Sequence, residues 1–357
     1  MGDRVHPLCP KNHAMTNRKV RNMEEFAAVS GISRPTVSKY FHDPDSVRPT
    51  TRARIEAALE QYDFRPNIYA INQNRRLTKN IGIMVPYLAD PFFAEIARVI
   101  ETLCIAAGFR PILLSSHGER QLENDNLDSL MSLKPAGVLL APLGRASDRS
   151  AIERFCDTVP TVLFDSNIEG MGEAFIGSDN ASFVDQTVDY LCRSGAPPCF
   201  FEMRRPTNPN ANKRRVAYLA AMERHGETPK VVSVEGDGWG FEEIGRQGAH
   251  AAISAGDFST DTVLCSNDRL AIGVLAACYE RGLRVGRGSD CAIRVASHDD
   301  HPFSRFTCPA LTTAAHDYLT VAGRAVDTLF ELIESGGAFP ERREELFPAH
   351  LVVRTSA

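Results

Sequence analysis

The sequence predicts an α/β protein with an N-terminal three-helix unit, a short connecting segment and a long core of two subdomains built on two parallel sheets. Three observations carry this. Residues 23–62 show helical apolar periodicity interrupted by one glycine, Gly31. From Ile81 onward, short apolar runs ended by Pro, Gly or Asp alternate with helical stretches, as in βα units. Charge is segregated as well: residues 1–80 carry 14 Lys and Arg against 8 Asp and Glu, whereas the remainder carries 26 against 37. The basic end is therefore the one suited to face a polyanion, although a solvated basic surface would give the same count.

The chain, at 357 residues, is too long for one compact core, and its 43% hydrophobic content is enough to fill two or three. Nine cysteines, an odd number without any two-residue-spaced pair, point to neither a zinc site nor a disulfide framework, and they suit a reducing compartment. No apolar run is long enough to span a bilayer and no hydrophobic leader opens the chain, so a cytoplasmic location is expected. Gly286-Arg287-Gly288 is not a complete dinucleotide fingerprint. Neither a phosphate loop nor a nucleophile elbow occurs, which argues against an enzyme and calls for no cofactor. Residues 1–20 lack periodicity and are expected to be a disordered tail; His6, Cys9 and His13 match no metal-ligand spacing.

The first helix is expected over Met23–Ser30, with Gly31 supplying the open dihedral space of a tight helix-to-helix turn. Ser33 is a good N-cap for the second, and Pro35 falls in its first turn, where no amide proton is needed. This is a helix-turn-helix pattern. It places Ser33, Arg34, Pro35, Thr36, Ser38 and Lys39 on the exposed N-terminal half of the second helix, with Val37, Tyr40 and Phe41 beneath. Short polar and cationic side chains there suit base edges and phosphates, while a generic helical pair remains the plainer alternative. A third helix from Pro49 carries Ile55, Ala58, Leu59 and Tyr62 along one stripe. Pro66-Asn67 ends it and opens a weakly amphipathic stretch, Ile68–Asn74, too short to be stable alone.

In the core, strands are expected at Ile81–Val85, Pro111–Leu114, Val138–Leu140, Val162–Phe164, Phe175–Ile176, Phe200–Met203, Val231–Val234, Val263–Cys265, Ile293–Ala296 and Leu351–Val353. Helices are expected at Phe93–Ala107, Leu122–Leu133, Ala181–Arg193, Asn212–His225, Phe241–Ala255, Arg269–Arg281 and Tyr318–Ile333. Continuous apolar strands separated by helices imply parallel sheets covered on both faces. Ligands of such sheets bind beyond the carboxyl ends of the strands. Asp165, Asn267, Asp268 and Asp299 stand there, and Arg214 enters the helix Asn212–His225, a set of acceptors and one planar donor that suits a polyol. Asp268 reads more simply as a helix cap. Arg204, Arg205 and Lys213 near these positions would instead suit an acidic or phosphorylated ligand.

The run MEEFAAVSGISRPTVSKYFHDPDSVRPTTRARIEAALEQYDFRPN resembles the headpiece of the lactose-repressor (LacI/GalR) family of bacterial transcription regulators. The resemblance continues through a hinge into a periplasmic-binding-protein-like core. It implies a tail at 1–20, a headpiece at 21–66, a hinge and linker at 67–80, and an effector-binding and dimerisation core at 81–357. Within that core it implies one subdomain of about 81–180 and 314–343 and another of about 181–313 and 344–357. It implies a repressor whose operator affinity is set by a sugar-like effector, acting as a homodimer because one recognition helix reads too few base pairs alone. By the same resemblance Asp165, Arg214, Asn267 and Asp299 are effector contacts, His316 and Tyr318 stand at two further pocket positions, and Trp239 lies near an aromatic one. Asn67 and Ala70 fit the family's minor-groove hinge helix, whereas Gln73 replaces the leucine that usually wedges the operator centre. Ala141, Gly238 and His316 are departures within the pocket. A periplasmic solute-binding protein shares the core, but it would need a signal peptide and would have no use for a basic headpiece.

Overall fold

The computed structural model of the chain describes residues 20, 22–62, 64, 78–207 and 209–357. The N-terminal tail up to residue 19 and the hinge residues Asn67, Ala70 and Gln73 lie outside the described residues. The chain divides into two compact units, Met1–Leu77 and Thr78–Ala357.

In the first unit, α1 (Met23–Ser30), α2 (Arg34–His42) and α3 (Pro49–Tyr62) follow the expected boundaries. Asn22 caps α1 by accepting the Glu25 N–H at 2.9 Å. Gly31, at φ 62°, closes the helix in the left-handed region. Ser33 caps α2 by accepting the Thr36 N–H at 3.4 Å. The helices meet on fully buried Phe26, Val37 and Ile55, and Phe64 stacks on Phe26 with ring centroids 4.8 Å apart. An isolated three-helix unit of this size depends on that aromatic filling, because propensity alone does not hold short helices.

The second unit holds two six-stranded sheets. The first comprises β1 (Asn80–Val85), β2 (Arg110–Ser115), β3 (Gly137–Leu140), β4 (Thr161–Phe164), β5 (Ala174–Ser178) and β11 (Arg343–Phe347), in the order β11-β5-β4-β3-β1-β2. The second comprises β6 (Cys199–Met203), β7 (Val231–Val234), β8 (Thr262–Cys265), β9 (Arg294–Asp299), β10 (Thr312–Ala315) and β12 (His350–Val352), in the order β12-β10-β9-β8-β6-β7. Every pairing is parallel except β10 with β12, where the last strand returns antiparallel along the sheet edge. Eight helices accompany the described strands: α4 (Pro91–Ala106), α5 (Arg120–Leu133), α6 (Arg149–Cys156), α7 (Asn180–Ser194), α8 (Ala211–Arg224), α9 (Phe241–Ala255), α10 (Asp268–Glu280) and α11 (Tyr318–Glu334).

Strands β10 and β11 and helix α6 go beyond the expected elements. The four residues of β10 are fully buried yet only Thr and Ala, so no large apolar run announces them. Strand β11 is a half-exposed edge of alternating burial whose charged face hides its register. Its pairing with β5 moves Glu344–Phe347 into the first sheet, and the pairing of β10 with β9 places Ala314 and Ala315 in the second. The chain passes from the first sheet to the second between Ser178 and Cys199, returns between Ala315 and Arg343, and crosses again between Phe347 and His350.

Candidate functional site

On the first unit, Ser33, Arg34, Pro35, Ser38 and Lys39 are exposed and Thr36 is half-buried. The Ser33 and Thr36 hydroxyls lie 2.8 Å apart, and Arg34 makes only a loose contact with Glu24 at 3.8 Å. The whole polar face of α2 is thus solvent-facing while Val37, with Tyr40 and Phe41, anchors the opposite face.

On the second unit, strand ends of both sheets converge on a cleft. Arg214, on α8 and 3% exposed, is held from three sides: Nε donates to Asn180 Oδ1 at 3.2 Å, Nη1 to the Ser266 carbonyl at 2.7 Å and Nη2 to Asp299 Oδ1 at 2.6 Å. Asp299 ends β9 at φ 118°, a backbone conformation that a residue with a Cβ adopts only under constraint. Burial opposes its ionisation, but Arg214 and His316 overrule that and hold its carboxyl at about 2. His316 reaches the same carboxylate at 3.3 Å through Nε2 and joins Ser178 Oγ at 2.8 Å through Nδ1. Tyr318 donates its hydroxyl to the Asp299 carbonyl at 2.6 Å.

Asp165 follows β4 at φ 58° and accepts the Asn210 amide at 2.9 Å. Burial pushes its carboxyl up to about 7 against the pull of Lys213 and Arg214. Asn267 uses its Oδ1 to cap α10, accepting the Leu270 N–H at 2.8 Å. Asp268, expected to be a cap, instead lies fully buried in the first turn and accepts from Ser304, Thr313 and the His301 N–H. A second ion pair crosses the cleft: Arg269 Nη1 meets Asp90 Oδ2 at 3.0 Å, while its Nε and Nη2 grip Glu242 at 2.7 and 2.8 Å. Asp90 caps α4 on the first sheet's side, so this contact ties the two subdomains together.

Aromatic rings complete the walls. Phe92 packs edge-on against His316 and Tyr318, and Phe241 lies under the Arg269 guanidinium at 5.0 Å. Trp239 stacks on Tyr87 and meets Phe93 edge-on; its Nε1 has no partner among the described residues. Gly118 makes that placement possible, because a Cβ there would come within 2.5 Å of Trp239 Nε1.

Of the expected effector positions, Asp165, Arg214, Asn267 and Asp299 line the cleft together. His316 and Tyr318 stand behind Asp299, and Trp239 closes the flank against Tyr87. Arg204 pairs with Glu235 at the exposed surface, and neither it nor Arg205 is in the cleft wall. Sequence reasoning missed Asp90, Phe92, Phe93, Phe241, Arg269 and His301, which also line it. Asp90 stands beyond the carboxyl end of β1, where the strand-end rule could have found it; the others give no sequence signal apart from a partner.

A helix-turn-helix unit with an exposed polar recognition face, followed by a two-sheet core enclosing a polar cleft, defines a ligand-responsive DNA-binding protein. The family of bacterial regulatory proteins, lacI family, matches residues 22–67, and a periplasmic binding protein-like domain matches residues 188–357. The ribose operon repressor of Escherichia coli is 28% identical over 94% of this chain and 99% of its own length. The regulator PtxS of Pseudomonas aeruginosa is 26% identical over 94% and 95%. Among solved structures, the lac repressor dimer bound to operator and the anti-inducer ONPF superposes with a TM-score of 0.79 at 24% identity, covering 94% of this chain and 98% of that one. A LacI-family regulator of Enterococcus faecium with bound ribose superposes with a TM-score of 0.66 at 19% identity, covering 78% and 98%. The chain thus joins a LacI-family DNA-binding domain to a periplasmic-binding-protein-like domain, and it is a DNA-binding transcription regulator.

Proposed function

We propose that this regulator is a cytoplasmic repressor that binds a near-palindromic operator as a homodimer and releases or tightens it when a small neutral sugar occupies the cleft. The observation that carries the ligand class is charge balance in the cleft wall. Arg214 is matched by Asp299 and Arg269 by Asp90 and Glu242, and Asp165 is driven towards its neutral form. An anionic ligand would meet carboxylates and find both guanidinium groups already engaged, whereas hydroxyls can donate to those carboxylates and accept from nearby N–H groups. The names of the relatives, a ribose operon repressor and a regulator with bound ribose, favour a pentose.

Ser33, Arg34, Pro35, Thr36, Ser38 and Lys39 are the operator-reading face in this account, with Asn67, Ala70 and Gln73 in the minor groove. The dimer surface is assigned to the second unit. There Tyr279, 84% exposed, borders an open groove with Leu275, Leu283 and Pro309, and Phe306 is 75% exposed. Exposed rings of this size are suited to burial against a partner. No described helix is long and apolar enough to cross a membrane.

Calorimetry of the full chain against a panel of aldopentoses, aldohexoses, sugar acids and sugar phosphates tests the ligand class. Binding of a neutral sugar, lost in Asp299→Asn, supports the reading. Selective binding of a sugar acid or phosphate would overturn it.

A further inference from the structure

Among the residues of the cleft wall, His301 has a feature that packing does not explain. Its side chain is 5% exposed, and it lines the cleft with Asp90, Arg269 and Asp299. Its Nδ1 accepts the Phe303 N–H at 3.2 Å, which fixes the tautomer, because a ring nitrogen that accepts carries no proton. The proton is therefore on Nε2, and Nε2 is a buried donor without a partner among the described residues. Burial, which outweighs the pull of Asp299, keeps the ring below its ordinary pKa and hence neutral. A buried N–H without an acceptor is costly, and native structures retain few of them.

We propose that His301 is a specificity-determining residue of the effector site, whose Nε2–H donates to one hydroxyl oxygen of the bound sugar. The acceptor must be neutral. Besides Arg269, the charged groups acting on His301 are the carboxylates Asp299, Glu242 and Asp300, and Arg269 already holds Glu242 and Asp90. A carboxylate or phosphate brought to Nε2 would enter that acidic surround without a free cation. A hydroxyl fits, since it accepts from Nε2–H and donates a hydrogen bond of its own to a carboxylate in the same wall. Asp90 is suited to receive it. Its two described bonds, from the Phe92 N–H at 3.0 Å and from Arg269 at 3.0 Å, leave about two of a carboxylate's roughly four acceptor sites open. A neutral donor matched to one hydroxyl discriminates against the sugar that lacks it, because the analogue leaves the buried N–H unpaired.

This inference rests on the neutral-sugar reading. Calorimetry of the full chain with D-ribose and its 2-, 3- and 5-deoxy analogues separates the two. Two isosteric variants distinguish a ligand contact from a structural one. His301→Asn retains an acceptor where Nδ1 meets the Phe303 N–H but withdraws the distal donor; His301→Gln places an N–H near the Nε2 position but loses the Phe303 bond. The expected result is that His301→Asn weakens D-ribose binding by about ten-fold and no longer distinguishes ribose from one of the deoxy analogues, while His301→Gln stays within about three-fold of the unaltered chain. Equal ribose affinity in His301→Asn and the unaltered chain, or loss only in His301→Gln, would overturn the proposal while leaving the sugar reading intact. Absence of binding to any sugar by the unaltered chain would overturn the sugar reading and this inference with it.

Discussion

Tyr87 and Trp239 stack with ring centroids 5.0 Å apart and 10° between their planes, one ring following a strand of the first sheet and the other a strand of the second. Trp239 is the only tryptophan in the chain, so this contact between the two subdomains is also a built-in optical reporter. An aromatic pair of this geometry contributes about 0.5–1.5 kcal/mol beyond its buried area. Tyr87→Ala is expected to raise acrylamide quenching of Trp239 and to weaken effector binding by roughly two- to ten-fold, the factor that energy corresponds to. Quenching that is unchanged by the substitution would show that the stack does not control closure.

Asp165 gives the core a pH dependence with a definite sign. Its carboxyl rises from an ordinary 3.8 to about 7, so across that interval the folded chain holds a proton that the unfolded chain has released. Stability from this group is therefore lost as the pH rises through the interval. Asp165→Asn imitates the protonated form and can keep the bond from Asn210 and the left-handed backbone, which Asn tolerates. The variant is expected to melt higher than the unaltered chain at about pH 8 and nearly level with it at about pH 4. Equal displacement at both would contradict the assignment.

Arg214 and Asp299 behave in the opposite sense. Asp299 is held near 2, so its contribution is complete above its ordinary 3.8 and is lost as the pH falls towards the lower value. Arg214→Ala leaves a buried carboxylate with His316 as its remaining side-chain hydrogen-bond partner, and denaturation near neutral pH should register a loss of roughly 3–5 kcal/mol. The penalty should shrink below about pH 4, where the stranded carboxyl can take a proton. Asp299→Asn made in the Arg214→Ala background should recover part of it, and a strictly additive double variant would show that the two side chains are not coupled.

Much of the architecture was legible from the chain because strong local signals and the fold agreed. Gly31, Ser33 and Pro35 punctuate the headpiece as their chemistry requires, and the apolar strand runs of the core are the ones that pair. What escaped was what depends on a distant partner. The Thr-Ala strand β10 is a strand because β9 and β12 flank it, and Arg269 becomes a cleft residue only through Asp90, far away in sequence. The same limit applied to His301: two residues beyond Asp299 it looks like loop, and its interest lies in a missing acceptor that no sequence pattern displays.

The hinge offers a test independent of the cleft. We propose that Gln73 takes the place of the family's wedging leucine; glutamine has less apolar surface to offset the loss of base stacking, an exchange worth about a few kcal/mol per step. Gln73→Leu is expected to tighten operator binding and to increase the bend measured by energy transfer between duplex ends. If neither quantity changes, Gln73 has no mechanical part in the kink.

The central claim is that occupancy of the cleft sets operator affinity. Its most direct test is fluorescence anisotropy of the full chain on a duplex selected from random sequence, with and without a sugar that alters Trp239 emission. The expected result is a near-palindromic site whose affinity moves by about five-fold or more with the sugar, the usual range of allosteric coupling. That response should vanish in Arg214→Ala, while Arg34→Ala should lose discrimination against random duplex. Operator affinity that stays the same whether or not the sugar fills the cleft, or binding that prefers no sequence over random duplex, would contradict it.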